Sequence, residues 1–253
     1  MPTKHRTTAE TRRETGPNRW LVIEYVPTSL FSLKMSAASS GVGKTLLVPT
    51  PYAVKMGLID AALRSGWDGD PKALVEGLSG TDVRIGVPLQ VTVTHTIVKI
   101  RQEPKKKAVG VAYTSAVAYR EFVYYGGSLC WAFDRSTMSD RLEQAVIWLA
   151  PAVQYIGKRG GFIQFINAEQ RESLSLDFTQ PLETGDLRIS PYLHLATLDD
   201  FGPEANLGAL NSYSDIPIRR DKHRKFVQTL VPLGVVSVGP GFTEYRSGAL
   251  EEV

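Results

Sequence analysis

The stretch 19–34 is read as alternating apolar and polar side chains, although Trp20-Leu21-Val22-Ile23-Glu24-Tyr25-Val26 within it carries a single polar residue, Glu24. That period of two is the mark of a half-buried strand, and the stretch 19–34 is expected to hold the first one. Residues 36–48 are small and glycine-rich and show no period. The spacing then turns helical: Val54, Leu58, Ala61 and Ala62 recur at three- and four-residue intervals. Thr50-Pro51 opens this helix, because a threonine hydroxyl can cap it and proline suits the first helical position. Ser65-Gly66 closes it, and a short second helix is expected over 70–78. β-Branched residues dominate 83–101 (Val91, Val93, Thr94, Thr96, Ile97, Val98, Ile100), which reads as one long strand or a strand pair. Gln102-Glu103-Pro104-Lys105-Lys106-Lys107 interrupts it. β character resumes over 109–133, with a turn at Gly126-Gly127. Helical spacing returns at 140–149, where Leu142, Ala145, Val146 and Leu149 share one face. Asp140 is the expected cap, Glu143 is at the third position and Pro151 is the stop. Short strands at 153–156 and 162–166 flank Gly157-Lys158-Arg159-Gly160-Gly161.

Strand, helix, strand, strand, helix, strand is the order between residues 20 and 166. It predicts an α+β, ferredoxin-like βαββαβ domain over 19–166, with a lysine-tipped β-hairpin at about 84–118. RNA-recognition modules use this plan. Residues 1–18 carry Lys4, Arg6, Arg12 and Arg13 with almost nothing to bury, and are expected to be a disordered basic tail. Residues 167–253 are rich in proline, glycine and aspartate, with short apolar runs. They are expected to form a β-rich extension or a degenerate second half.

Composition narrows the function classes. Of 253 residues 43% are hydrophobic, enough for a real core, and 29 basic against 26 acidic residues leave a net charge of only +3. Any polyanion site must therefore come from clustering of charge, not from the total. The lone Cys130 lies in an apolar strand, which excludes an internal disulfide framework and suits a reducing, cytoplasmic setting. No run approaches the roughly 18 apolar residues of a membrane span, so no membrane partner is expected.

Four basic features could meet a phosphate backbone. Lys105, Lys106 and Lys107 tip the hairpin, where a protruding basic arm suits backbone tracking. Lys158 and Arg159 sit among glycines that permit close backbone approach. Arg219-Arg220-Asp221-Lys222-His223-Arg224-Lys225 holds five cations in seven positions. Ala38-Ser39-Ser40-Gly41-Val42-Gly43-Lys44-Thr45 satisfies a relaxed phosphate-loop pattern. However, Pro49 and Pro51 would break the helix that such a loop needs, so it reads as a flexible loop carrying one lysine. The four histidines, His5, His95, His194 and His223, share no metal-ligand spacing with Cys, Asp or Glu. No metal and no cofactor is expected, and no nucleophile signature appears. Tyr119, Phe122, Tyr124 and Tyr125 cluster without an RNA-recognition consensus. Backbone and glycine-loop contacts are therefore expected more than base stacking on the sheet.

The stretch Pro49-Thr50-Pro51-Tyr52-Ala53-Val54-Lys55-Met56-Gly57-Leu58-Ile59-Asp60-Ala61-Ala62-Leu63 resembles a signature of CRISPR-associated RAMP proteins, specifically of the Cas-five family. Ala118-Tyr119-Arg120-Glu121-Phe122-Val123 is similar to that family's Arg-Glu-aromatic strand. The helix at 140–149, followed by Gln154-Tyr155-Ile156-Gly157-Lys158-Arg159, is similar to its helix and Tyr-x-Gly-basic turn. The resemblance covers roughly residues 20–166. It implies a non-catalytic subunit of a type I Cascade complex that caps the 5′ handle of CRISPR RNA in antiviral defence. The basic hairpin would be a thumb meeting the backbone (Cas-seven) subunit, the large subunit would be a further partner, and target DNA would be met indirectly. By position, Lys44, Tyr52, Lys55, Arg120, Lys158 and Arg159 become candidate RNA contacts, with Lys105, Lys106 and Lys107 on the thumb. Arg219, Arg220, Lys222, Arg224 and Lys225 have no family motif under them and are added as RNA candidates on charge alone. The branch of this family that cuts precursor RNA uses a Tyr/Lys/His set that does not align here. The alternative is a metal-independent processing endoribonuclease of the Cas-six type, for which Gly239-Pro240-Gly241-Phe242 offers a faint likeness and His95 or His223 a catalytic base.

Overall fold

The structure is a computed structural model that describes residues 18–35, 42–103, 113–158, 160–185, 187–188, 192–211 and 214–248. The expected tail therefore lies outside the described residues, Asn18 apart. Strand β1 (Trp20–Pro27) forms where a strand is expected, but it is buried without a break from Trp20 to Ile23, because both of its faces are covered, and is not the half-buried strand that alternation implies. It pairs antiparallel with both β6 (Leu129–Asp134) and β7 (Ile163–Arg171), and β6 pairs antiparallel with β3 (Val83–Gly86). The sheet order is β3-β6-β1-β7. Helices α1 (Pro51–Arg64) and α2 (Pro71–Ser79) connect β1 to β3, and α3 (Asp140–Leu149) connects β6 to β7.

All three helices pack on one sheet face. Leu21, Ile23, Tyr25, Ile85, Trp131 and Phe133 meet Leu58, Leu74, Leu78, Val146 and Leu149 in a single core. Each such side chain contributes about 1.5–3 kcal/mol by leaving water. Tyr25 stacks at 4.1 Å on Trp131 and its hydroxyl donates to the Ala150 carbonyl at 2.8 Å. The opposite face buries Trp20, Val22 and Ala132 under Leu174 and Phe178. Cys130 packs against that second cluster, and burial pushes its thiol up to about 11, the behaviour of an inert core thiol.

The caps follow local chemistry. Thr50 accepts from the Ala53 amide at 3.1 Å and Pro51 begins α1. Asp70 caps α2. At α3 the cap is Ser139, not Asp140: its hydroxyl accepts from the Leu142 amide at 3.2 Å and Asp140 falls in the first turn. Both residue types cap well, so one-position ambiguity is intrinsic to the sequence. The stretch 153–156, expected as a strand, makes only one bridge, Tyr155 to Phe162.

Asp134 joins β1 to the β6 exit. It accepts from Arg19 at 2.6 Å and from Ser136 at 2.6 Å. Burial alone would raise its pKa, but these hydrogen bonds outweigh burial and hold the carboxyl below its ordinary value. A carboxyl whose folded pKa is depressed adds stability above its unfolded pKa and loses it as the pH falls. The urea midpoint is therefore expected to drop from about pH 4 downward, and Asp134→Asn should flatten that drop. An acid limb equally steep in the variant contradicts the assignment.

Strands β4 (Gln90–Gln102) and β5 (Thr114–Gly126) form an antiparallel hairpin whose register runs unbroken from Gln90↔Gly126 to Gln102↔Thr114. At about 3.4 Å per residue each strand extends roughly 40 Å. Its base is built into a five-stranded sheet of order β11-β12-β4-β5-β2. Here β12 (Phe242–Arg246) pairs with Gln90 to Thr94, β11 (Gly234–Gly239) lies outside β12, and β2 (Val42–Gly43) runs parallel to Tyr119-Arg120. Beyond that base the ribbon exposes Ile97, Val117 and Tyr113. The tip, with Lys105, Lys106 and Lys107, lies outside the described residues. A third sheet, β8-β10-β9 (Gln180–Pro181, Arg224–Val231, His194–Phe201), packs β9 against α1, and a short α4 (Leu207–Leu210) follows β9.

Candidate nucleic-acid interface

A cleft of about 500 Å³ opens where four segments converge. The run Ser32-Leu33-Lys34 after β1 forms one wall and the first turns of α1 form another. The turn from Tyr155 to Lys158 and the facing pair Asp199 and Arg224 complete it. The capped start of α1 puts Tyr52 in the cleft. Tyr52 sits edge-on to Phe201 at 5.2 Å, and the Arg224 guanidinium covers its ring at 4.6 Å. Burial raises the Tyr52 pKa, so the phenol stays protonated at neutral pH. Arg224 is held by Asp199 at 2.5 Å, which largely neutralises it.

Lys34 and Lys158 also line the cleft, and neither has an ionic partner among the described residues. Lys158 stands on a hydrogen-bonded turn. Gly157 (φ 69°) and Gly160 (φ 129°) hold conformations that other residues rarely adopt. The Ile156 amide bonds the Gly161 carbonyl at 2.9 Å. Ser29 donates to the Gly160 carbonyl at 2.6 Å and accepts from the Phe162 amide at 2.7 Å.

The structure separates the other candidates. Lys55 has no access to the cleft: it is fully buried, its Nζ 2.6 Å from Asp200 in a close ionic contact. Burial lowers the Lys55 pKa and raises that of Asp200. Lys44 is exposed beside Arg120, whose side chain lies over Gly43 where a Cβ would collide with it. This pair sits at the β2–β5 junction, one backbone run from the cleft, since Lys34 bridges Thr45. Arg159 lies outside the described residues. The C-terminal basic cluster divides. Lys222 pairs with Glu204 at 2.9 Å and Lys225 reaches Asp200 at 3.8 Å. Arg220 covers Phe226 at 4.9 Å, and Arg219 is exposed. Only Arg224 of the five faces the cleft. Sequence reasoning missed Lys34, whose place depends on the Lys34–Thr45 bridge; no local pattern marks it.

The phosphate-loop pattern has no helix behind it. Val42-Gly43 is a strand, Thr45 donates its amide to the buried Glu121 at 2.9 Å, and the helix starts only at Pro51. His95 is held on both ring nitrogens, with the Tyr119 hydroxyl at 2.6 Å and the Thr243 hydroxyl at 3.2 Å. His223 is buried and its Nδ1 accepts from the Arg219 amide at 3.2 Å. No group of three or more metal-ligating side chains occurs among the described residues, and none of their helices is long and apolar enough to cross a membrane.

No protein-family model matches this sequence, and no curated protein matches it. Among solved structures it is similar to one described as the crystal structure of a CRISPR protein from Archaeoglobus fulgidus. The identity is 12%, the match covers 90% of this chain and 92% of that one, and the TM-score is 0.47.

Proposed function

We propose that this chain is a non-catalytic, RNA-gripping subunit of a CRISPR surveillance complex. It would be of the Cas-five kind, built on a ferredoxin-like RAMP unit, and would hold the 5′ handle of CRISPR RNA. The fold reading is supported by the antiparallel order β3-β6-β1-β7 with its three helices on one face. The observation that carries the RNA reading is the cleft. Lys34 and Lys158, neither with an ionic partner among the described residues, line it together with Tyr52 and Tyr155, and Lys158 stands on a turn that contains two positive-φ glycines. Such a groove suits an anionic backbone with unstacked bases. The binding-only reading is supported by the engagement of both His95 nitrogens and the burial of His223, which leave neither free to take a proton from a 2′-hydroxyl. The long β4–β5 hairpin would be the thumb toward the backbone subunit, with the large subunit as a further partner and target DNA met indirectly.

Fluorescence anisotropy of the full chain with labelled single-stranded RNA tests this. Binding should weaken linearly in log salt, with a slope of about −0.7 per phosphate neutralised, and the RNA should remain intact on a denaturing gel without added metal. Salt-independent binding sinks the groove. Cleavage that disappears in His95→Ala or His223→Ala supports the processing endoribonuclease instead.

A further inference from the structure

We propose that a second, apolar cavity beside the glycine turn receives one unstacked nucleobase of the bound strand; this rests on the RNA reading of the cleft. The cavity holds about 220 Å³ and is walled by Leu30, Leu33, Phe122 and Ile156, with Gly160 and Lys158 at its rim. It shares Ser32, Leu33 and Lys158 with the cleft, so the two open on either side of one lysine. Lys158 has no ionic partner among the described residues and is exposed. A phosphate bound there has the cleft on one side and the apolar cavity on the other, which is the layout of two successive nucleotides.

The chemistry of the walls selects a base over a second phosphate. Among the described residues no carboxylate lines the cavity, and Lys158 is its only charge. Leu30 is 49% exposed and the adjoining Phe162 is 51% exposed, an apolar rim left in water until something flat covers it. Phe122 offers an aromatic wall, and base–aromatic stacking contributes without regard to base identity. Gly160 leaves the mouth open: nothing lies within 4 Å of where its Cβ would be, and the Ser29 bond pins its carbonyl. Elsewhere in this turn space is scarce, since a Cβ on Gly161 would sit 2.8 Å from the Ile156 carbonyl oxygen. Of the two glycines that line the cavity, Gly161 is thus tightly packed and Gly160 is bare.

The test compares two probes of equal charge on the full chain: a ten-nucleotide oligouridylate and a ten-unit abasic ribose-phosphate strand. Wild type should prefer the oligouridylate by about tenfold or more. Phe122→Ala should erase most of that preference and Leu30→Ser about threefold of it, while abasic affinity and salt slope stay as in wild type. Leu30 is half exposed, so its variant folds even where Phe122→Ala does not; urea midpoints verify this. Equal wild-type affinity for both probes overturns the base cavity and leaves the phosphate groove standing. A preference unchanged in both variants also overturns it. Failure of wild type to bind either probe overturns the groove, and the cavity with it.

Discussion

Lys55→Met is expected to destabilise the fold by about 3–5 kcal/mol, the range for stripping one partner from a buried ion pair. Lys55 is fully buried between α1 and β9, with Asp200 at 2.6 Å and the Phe201 ring at 5.6 Å. Its removal leaves the Asp200 carboxylate, only 11% exposed, with the Phe201 amide at 2.7 Å and Lys225 at 3.8 Å. The desolvation that lowers the Lys55 pKa and raises that of Asp200 is the quantity the variant exposes. Lys55→Met combined with Asp200→Leu should return close to wild type, because a well-packed apolar pair often matches a buried salt bridge. Urea unfolding of the two variants decides it. A single-variant loss no larger than the roughly 0.5 kcal/mol of an ordinary surface change shows that the pair does not hold α1 to the C-terminal sheet. Because the pair lies away from the cleft, RNA affinity of the folded double variant should be unchanged.

Lys34→Ala and Lys158→Ala are each expected to weaken single-stranded RNA binding about tenfold, in line with the loss of one charge-assisted contact of about 1.5 kcal/mol. Each should also make the salt slope shallower by about 0.7. Lys72→Ala, exposed on α2 away from the cleft, should change neither quantity. Titrations at several salt concentrations separate a phosphate contact from a fold defect: lower affinity with an unchanged slope in Lys158→Ala removes that lysine from the interface. Lys34 is the sharper test, because no family likeness nominates it and only its position in the cleft does.

What the sequence disclosed follows the range of the forces involved. Strand β1, the Thr50-Pro51 helix start and the apolar face of α3 are local patterns, and they appear where runs of apolar residues and capping chemistry put them. Lys55 is misread as an RNA contact although the pattern around it is local: it sits in the helical stripe with Val54, Leu58, Ile59 and Ala62, all buried. A charge inside such a stripe signals a buried pair before it signals a ligand contact. The partners of the C-terminal cations were not legible. Asp199 and Asp200 reach Arg224 and Lys225 only through the β9–β10 register, with Arg224 opposite Phe201 and Lys225 opposite Asp200. In a run that reads as five free cations, Arg224 and Lys225 are therefore paired across the sheet, and Lys222 pairs with Glu204 beside it. Cleft residues have the same difficulty, since Lys34, Tyr52, Lys158 and Arg224 come from four separate parts of the chain.

The place of β12 against β4 has a consequence for biogenesis. His95 and Thr243, bonded side by side, are 148 positions apart. At about 5–20 residues per second of translation, the paired edge of β4 waits roughly 7–30 s before its neighbour is made. Through that interval the Gln90-to-Thr94 edge carries bare amides and carbonyls open to intermolecular pairing. The strand that closes this edge is therefore made long after the edge itself, and a nascent chain halted before residue 242 would keep it open.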